Sequence, residues 1–222
     1  MELSHTEENY MKSIYHLSNH GTVSVSTNAI SEQLQTTPAS VSDMIKKLNQ
    51  KELISYVKYK GVTIDKLGVK EALKIIRKHR LWETFLVEKL RFQWDQVHEI
   101  AEQLEHIKSP VLIKRLDDFL GNPTQDPHGD PIPTEGGVMI GSDKKVLIEL
   151  KLAQKAIVVG VKDNSNSFLQ FLNKVGIQLG TSLEVKEVFD FDTSKEVVLD
   201  GSKSLLLSKE ALQNIFVKVV EL

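Results

Sequence analysis

Residues 36–64 read TTPASVSDMIKKLNQKELISYVKYKGVTI, and the fold of the N-terminal part follows from this stretch. Thr37 stands at a helix N-cap and Pro38 at the first helical position, where a missing N–H costs nothing. Val41, Met44, Ile45 and Leu48 recur at a period near 3.6 and form one apolar stripe. The opposite face presents Ala39, Ser40, Ser42, Asp43, Lys46 and Lys47, small at the front and basic behind. Upstream, residues 28–35 predict a shorter helix with Ala29, Ile30 and Leu34 inward. The pair reads as a helix-turn-helix: small side chains admit the helix tip to a major groove and the lysines meet phosphate. A helical hairpin from an unrelated bundle would show the same stripe. Residues 53–64 separate the two readings, because strand-forming residues flank Tyr59-Lys60-Gly61 and predict a β-hairpin with Lys58 and Lys60 at its tip. A helix-turn-helix followed at once by a basic hairpin is a winged helix. Its candidate DNA contacts are Thr37, Pro38, Ala39, Ser40, Ser42, Asp43, Lys46, Lys47, Lys58 and Lys60.

Before this stretch, Ser4 with Glu7 three residues later forms a capping box. It opens a helix whose apolar positions are Met11, Ile14, Tyr15 and Leu17 and which ends near Gly21. Residues 23–26 read as an extended link. After the hairpin, residues 79–106 read HRLWETFLVEKLRFQWDQVHEIAEQLEH. His79 and Glu83 are four apart and share a helical face, whereas His98, Glu102, Glu105 and His106 line one stripe of a second helix, with a turn around residues 91–95. Side by side, the two helices offer nitrogen and oxygen ligands for a divalent transition metal. A solvated charged face is the competing reading. Metal binding is favoured because His98 and Glu102 sit against Val97, Ile100, Ala101 and Leu104 with no lysine interleaved.

Composition narrows the function classes. The 222 residues contain no cysteine, which removes disulfides, thiolate catalysis and thiolate metal sites, so any metal is held by nitrogen and oxygen. A net charge of −2 argues against a uniformly basic nucleic-acid binder. Locally, however, Lys46, Lys47, Lys51, Lys58 and Lys60 face only Glu52, a patch suited to salt-dependent phosphate binding. No apolar run approaches the ~20 residues of a bilayer span, and MELSHTEENYMK is no signal peptide, so the expected place is the cytoplasm with no membrane partner.

From Asp65 a long helix carries Leu67, Val69, Leu73, Ile76, Leu81, Phe85, Leu86 and Leu90 through the first His/Glu pair. Trp82, Phe85, Phe92 and Trp94 gather there, more aromatic surface than a small helical hairpin needs, which points to a homodimer interface; core packing is the rival. Another helix starts at Ser109 or Pro110, with Val111, Ile113, Leu116, Phe119 and Leu120 as its face. Residues 121–141 form a loop rich in Pro, Gly and Asp, in which His128 and Asp130 read as loop polar groups. Beyond Leu150 come short strand-like runs at 156–161, 182–188, 196–199, 204–207 and 216–220, with a helix at 167–175, suggesting a small barrel. The expected organisation is multi-domain: a DNA-binding domain over 1–65, a helical domain over 66–137, a linker over 138–150 and a small all-β domain over 151–222.

Taken together, TEENYMKSIY, PASVSDMIKKL, KHRLWE, VHEIAEQLEH and HGDPIP resemble the diphtheria toxin repressor family of metal-dependent transcriptional regulators, including its manganese-responsive branch. The resemblance spans nearly the whole chain. It implies a winged helix-turn-helix, a metal-binding and dimerisation domain, and an SH3-like C-terminal domain. It also implies a primary site of Glu102, Glu105 and His106 with Asn9, and a second site of His79, Glu83 and His98, to which Asp163 of the C-terminal domain is a further candidate ligand. Two positions depart from the family. Asn9 stands where manganese-type members tend to have Asp and iron-type members Met, and Lys12 falls where some manganese members have a Glu ligand, which argues against a closely spaced metal pair. Glu102, where iron-type members tend to have Cys, supplies a hard oxygen and favours Mn(II), with Fe(II) next.

The function so implied is a homodimeric repressor that binds double-stranded operator DNA when loaded with metal and controls metal-ion homeostasis. One rival is a metalloenzyme, hydrolase or di-metal oxidase, on the same ligands. Against it, HExxH is missing and no nucleophile–base pair is visible, so no catalytic residue is named. The other rival is a metal-independent winged-helix regulator with a small-molecule ligand in the β domain.

Overall fold

The computed structural model describes residues 2–58, 60–141 and 143–220. The chain divides into two compact units: Met1–His79 with Glu102–Lys114 and Pro133–Met139, and Arg80–Ala101 with Arg115–Ile132 and Ile140–Leu222.

The first unit begins with α1 (His5–Leu17), opened by the expected capping box: Ser4 Oγ accepts from the Glu7 N–H and Glu7 Oε2 accepts from the Ser4 N–H. The chain then turns through positive φ at Asn19, His20 and Gly21 into α2 (Thr27–Gln33). The next helix, α3 (Pro38–Gln50), is capped by Thr37, whose hydroxyl accepts from the Ser40 N–H. Val41, Ile45 and Leu48 are buried on it, with Met44 at their edge. Strands β1 (Ile54–Val57) and β2 (Gly61–Ile64) pair antiparallel as the wing. Tyr59, placed at the hairpin tip by the sequence, lies outside the described residues. The link at 23–26 joins the wing through an antiparallel bridge from Val25 to Val62. Gly61 has φ +91°, and a Cβ there would lie 2.5 Å from the Val25 carbonyl oxygen, so only glycine lets this third segment close on the hairpin. The core runs from Leu3 to Ile76 and centres on Met11, Ile14, Ile30, Leu48 and Leu53.

Three helices contribute to both units: α4 (Lys66–Glu88), α5 (His98–Leu104) and α6 (Pro110–Phe119). In the second unit a short 3-10 turn, Trp94–Gln96, follows the expected break after α4. The remainder is a six-stranded antiparallel sheet in the order β3-β8-β4-β5-β6-β7. Its strands are β3 (Lys145–Val146), β4 (Lys155–Val161), β5 (Ser182–Val188), β6 (Lys195–Leu199), β7 (Lys203–Leu207) and β8 (Ile215–Val219). Helices α7 (Asn166–Val175) and α8 (Lys209–Gln213) lie in the connections. The sequence suggested a barrel; among the described residues no ladder joins β3 to β7, so the sheet is curved by bulges near Val158 and Val185 but not closed. Residues 138–150, expected as a linker, include β3 and a 3-10 turn whose Leu147 is fully buried in the second core. Trp94 and Val87 join that core, and the Trp94 indole N–H donates to Asn173 Oδ1 at 2.8 Å.

Gly61→Ala combines a strained φ with a backbone clash and should cost about 1–3 kcal/mol. Thermal unfolding followed by circular dichroism should show the transition of the first unit several degrees lower than in wild type.

Candidate metal centre

The first unit assembles its polar cluster on α1. Glu8 and Lys12 are four apart and share a face, whereas Glu7 is turned by one residue toward α3. Lys12 Nζ donates to Glu102 Oε1 at 2.5 Å and to the two oxygens of Glu105 at 2.7 and 2.8 Å. Glu105 is fully buried, and its Oε2 lies 2.6 Å from His79 Nδ1. Burial pushes the Glu105 carboxyl up, but the His79 hydrogen bond and the Lys12 ammonium outweigh it and hold the carboxyl below its ordinary range. His106 Nδ1 meets Glu8 Oε2 at 2.5 Å, Lys78 reaches the other Glu8 oxygen at 3.3 Å, and the His5 ring stacks on His106. Asn9 Oδ1 is buried and makes no hydrogen bond. The structure thus brings His79, Glu102 and Glu105 within metal-ligand spacing, with a lysine among them.

The second unit holds another cluster. Glu83, buried on α4, sets one carboxylate oxygen 3.5 Å from His98 Nδ1 and the other 3.6 Å from His128 Nδ1. His128 Nδ1 also lies 3.9 Å from Asp126 Oδ1, and ligand atoms of Glu83, Asp126 and His128 all fall within 4.8 Å of one another. His128 Nε2 is 2.9 Å from the Trp94 carbonyl oxygen, a contact in which the nitrogen must donate. That orients the ring with Nδ1 toward the carboxylates, the atom from which a histidine held by an outer hydrogen bond ligates once it gives up its proton. The residues fit a divalent ion of the Mn, Fe or Zn type, with hard oxygens, one imidazole and no sulfur. Burial, with the Glu83 and Asp130 carboxylates, pushes Asp126 up to about 7, although Arg80 Nε stands 3.4 Å from its outer oxygen. Burial lowers His128, but Glu83 and Asp126 more than offset it and raise the imidazole to about 9.

His128 therefore corrects the sequence reading of a loop polar group: it is 2% exposed. Gly129 explains why. Its φ is +80° and a Cβ would stand 2.0 Å from the Val159 carbonyl oxygen, so the loop lies directly against β4 and carries His128 inward. Asp126 was not singled out at all. The usable signal was the D-x-H-G run between two prolines, a rigid turn with two ligand types two residues apart. Asp163, the C-terminal candidate, accepts the Ser165 N–H at 2.8 Å at the start of α7, outside these clusters. Every proposed DNA contact, from Thr37 through Lys47 and at Lys58 and Lys60, is exposed. Within the unit Lys46 pairs with Asp43, and Lys47 lies 3.3 Å from buried Glu7. Glu7 also accepts from Lys51 at 2.6 Å.

Comparison with known proteins places these observations. Residues 2–62 match "Iron dependent repressor, N-terminal DNA binding domain", residues 65–134 "Iron dependent repressor, metal binding and dimerisation domain", and residues 145–219 "FeoA domain". A solved "Manganese-dependent transcriptional repressor complex with manganese" is 32% identical, with 96% of this chain and 100% of that one covered at a TM-score of 0.86. The ScaR structure with bound Cd2+ is also 32% identical, covering 96% and 99%, with a TM-score of 0.77. The iron-dependent repressor IdeR of Mycobacterium tuberculosis (strain ATCC 25618 / H37Rv) is 33% identical over 132 residues, 60% of this chain and 57% of that protein. The chain thus matches little more than half the length of these mycobacterial relatives. Among the described residues no helix is long and apolar enough to cross a membrane.

Burial opposes ionisation of Glu7, but Lys51, the Ser4 N–H and Lys47 outweigh it and hold the carboxyl at about 2 against an ordinary 4.5. A depressed carboxylate contributes stability that is complete above the unfolded value and is lost as pH falls from 4.5 toward about 2. The stability gap between wild type and Glu7→Gln, measured by urea unfolding, should therefore be widest near neutral pH and shrink across that window. A gap independent of pH would show that these ion pairs do not set it.

Proposed function

The chain belongs to the diphtheria toxin repressor family of metal-dependent transcriptional regulators, and from that premise we propose that it is a cytoplasmic homodimer that binds operator DNA when it holds Mn(II) or Fe(II). On this reading it is a regulator of metal-ion homeostasis and not an enzyme. The observation that carries it is the buried set Glu83, Asp126 and His128, whose ligand atoms fall within 4.8 Å of one another and whose imidazole is held by the Trp94 carbonyl with Nδ1 toward the carboxylates. His98 stands at the edge of the same set through Glu83. His79, Glu102 and Glu105 form the companion cluster of the first unit, with His106 4.0 Å from Glu105.

A bound divalent ion would take the place of the protons that Asp126 and His128 hold without it. The other parts are supplied by the chain. Glu7 fastens α1 to α3 through Lys47 and Lys51, so the helix that would enter the major groove is anchored at its basic end. The face of small residues at Ala39, Ser40 and Ser42 would approach base edges while Lys46, Lys58 and Lys60 meet phosphate. The coupling needed between metal and DNA is modest, about 1–3 kcal/mol. For self-association the support is α6, where Val111 and Phe119 are each 64% exposed, and Phe119 lies 6.3 Å from Phe85 beneath the Lys89 ammonium.

Fluorescence anisotropy on the promoter of a metal-uptake gene, with Mn(II), Fe(II) and Zn(II) at fixed free concentrations, tests the reading. Chelation should weaken operator binding at least about tenfold, the lower part of a typical allosteric range. His128→Ala should reproduce that loss with an unchanged circular dichroism spectrum. Affinity indifferent to chelation would favour the metal-independent regulator instead. Lys46→Ala should reduce the salt slope of binding by about one and weaken all sequences alike. Phe119→Asp should shift the sedimenting species from dimer to monomer.

A further inference from the structure

The cluster of the first unit does not fit a resident divalent ion as it stands. An ammonium offers three donors and no lone pair, so Lys12 cannot ligate a metal; it can only stand where one would be. Three carboxylate oxygens, one from Glu102 and both from Glu105, receive it at 2.5–2.8 Å. The Lys12 side chain is only 14% exposed and Glu105 fully buried, so this is an enclosed pair rather than a surface contact. A divalent ion would need the same oxygens at about 2.0–2.2 Å, and the ammonium and the ion cannot share them. Charge tells the same way. Glu8, Glu102 and Glu105 bring three negative charges, Lys12 and Lys78 answer two of them, and the His79 and His106 imidazoles reach Glu105 and Glu8 at 2.6 and 2.5 Å.

We propose that Lys12 is the built-in cation of the first unit, its ammonium taking the place among His79, Glu102 and Glu105 that a divalent ion would occupy, so that α1 stays fastened to these carboxylates with or without metal. This rests on the reading that the chain responds to metal, and it confines that response to Glu83, Asp126 and His128. Removing Lys12 leaves Glu102 and Glu105 with His79 as a ready oxygen-and-nitrogen ligand set, so loss of the ammonium should create a metal site.

The test counts ions on the full chain. Protein stripped by chelation is titrated with Mn(II), with bound ion counted by equilibrium dialysis and free ion read by electron paramagnetic resonance. Wild type should bind one ion, keep it in Glu105→Gln and lose it in His128→Ala. Lys12→Met should bind a second ion, which disappears again when Glu105→Gln is added. Metal-free Lys12→Met should melt below wild type, and Mn(II) should restore it. Lys12→Gln repeats the count with a side chain of different polarity, and Glu105→Gln in the wild-type background reads the proposal even if neither Lys12 variant folds. Two ions on wild type with one lost in Glu105→Gln would overturn the proposal, as would a folded Lys12→Met that gains none. Wild type binding no ion while Lys12→Met binds one would support Lys12 as the resident cation and overturn the reading of Glu83, Asp126 and His128.

Discussion

A carboxylate taken out of water must be met by positive charge or surrender its own, and both units of this chain are organised around that requirement. Glu7, Glu83, Glu105 and Asp126 are all nearly or wholly buried. Leaving one such group without its partner costs about 3–5 kcal/mol, comparable with the whole margin of stability of many domains. Elements that bring cations to these positions are therefore held in place by more than apolar contact. Helix α1 is the clearest case, since Glu7 and Lys12 tie it in two directions at once.

The two units answer the requirement differently. In the first, Lys12 and His79 satisfy Glu105 so fully that its carboxyl is held below its ordinary range. In the second, Glu83 and Asp126 share one imidazole and the fringe of Arg80, and Asp126 is driven up to about 7. One cluster is met by an ammonium, whereas the other meets its acids in part with protons on Asp126 and His128 that an ion could displace. On the proposed reading a divalent ion takes the place of those protons, which would give the HGDPIP loop more bearing on metal response than the His/Glu hairpin that dominates the sequence.

What the sequence made legible was local. The Ser4–Glu7 capping box, the Thr37–Pro38 helix start, the break after α4 and the runs that became β4 to β8 depend on residues within a few positions of one another. Two-residue β3 and five-residue α8 carry too little pattern to be read. The sites depend on longer reach. Lys12 meets Glu105 across 93 positions, and spacing along a helix says nothing about which cation will arrive from elsewhere. His128 looked like a loop residue because its burial is decided by Gly129 lying against Val159, a contact invisible in the loop's own composition. Type of ligand was thus readable from the absence of cysteine and the run of His and Glu, whereas the arrival of Lys12, Asp126 and His128 beside them was not.

The position of Lys47 follows from the same constraint. It is half exposed on the face that would meet phosphate, yet it also lies 3.3 Å from Glu7. Glu7 does not depend on it, because Lys51 holds the same oxygen at 2.6 Å and the Ser4 N–H holds the other. Lys47 can therefore turn to a phosphate without leaving a buried charge unmatched, and the cost of its release is that of a partly exposed ion pair, about 0–1 kcal/mol. If Lys51 were absent, the same motion would strand Glu7 and α3 would have to choose between its anchor and its ligand. The pairing of one buried acid with two lysines of unequal exposure lets the helix be both fixed to α1 and open to DNA.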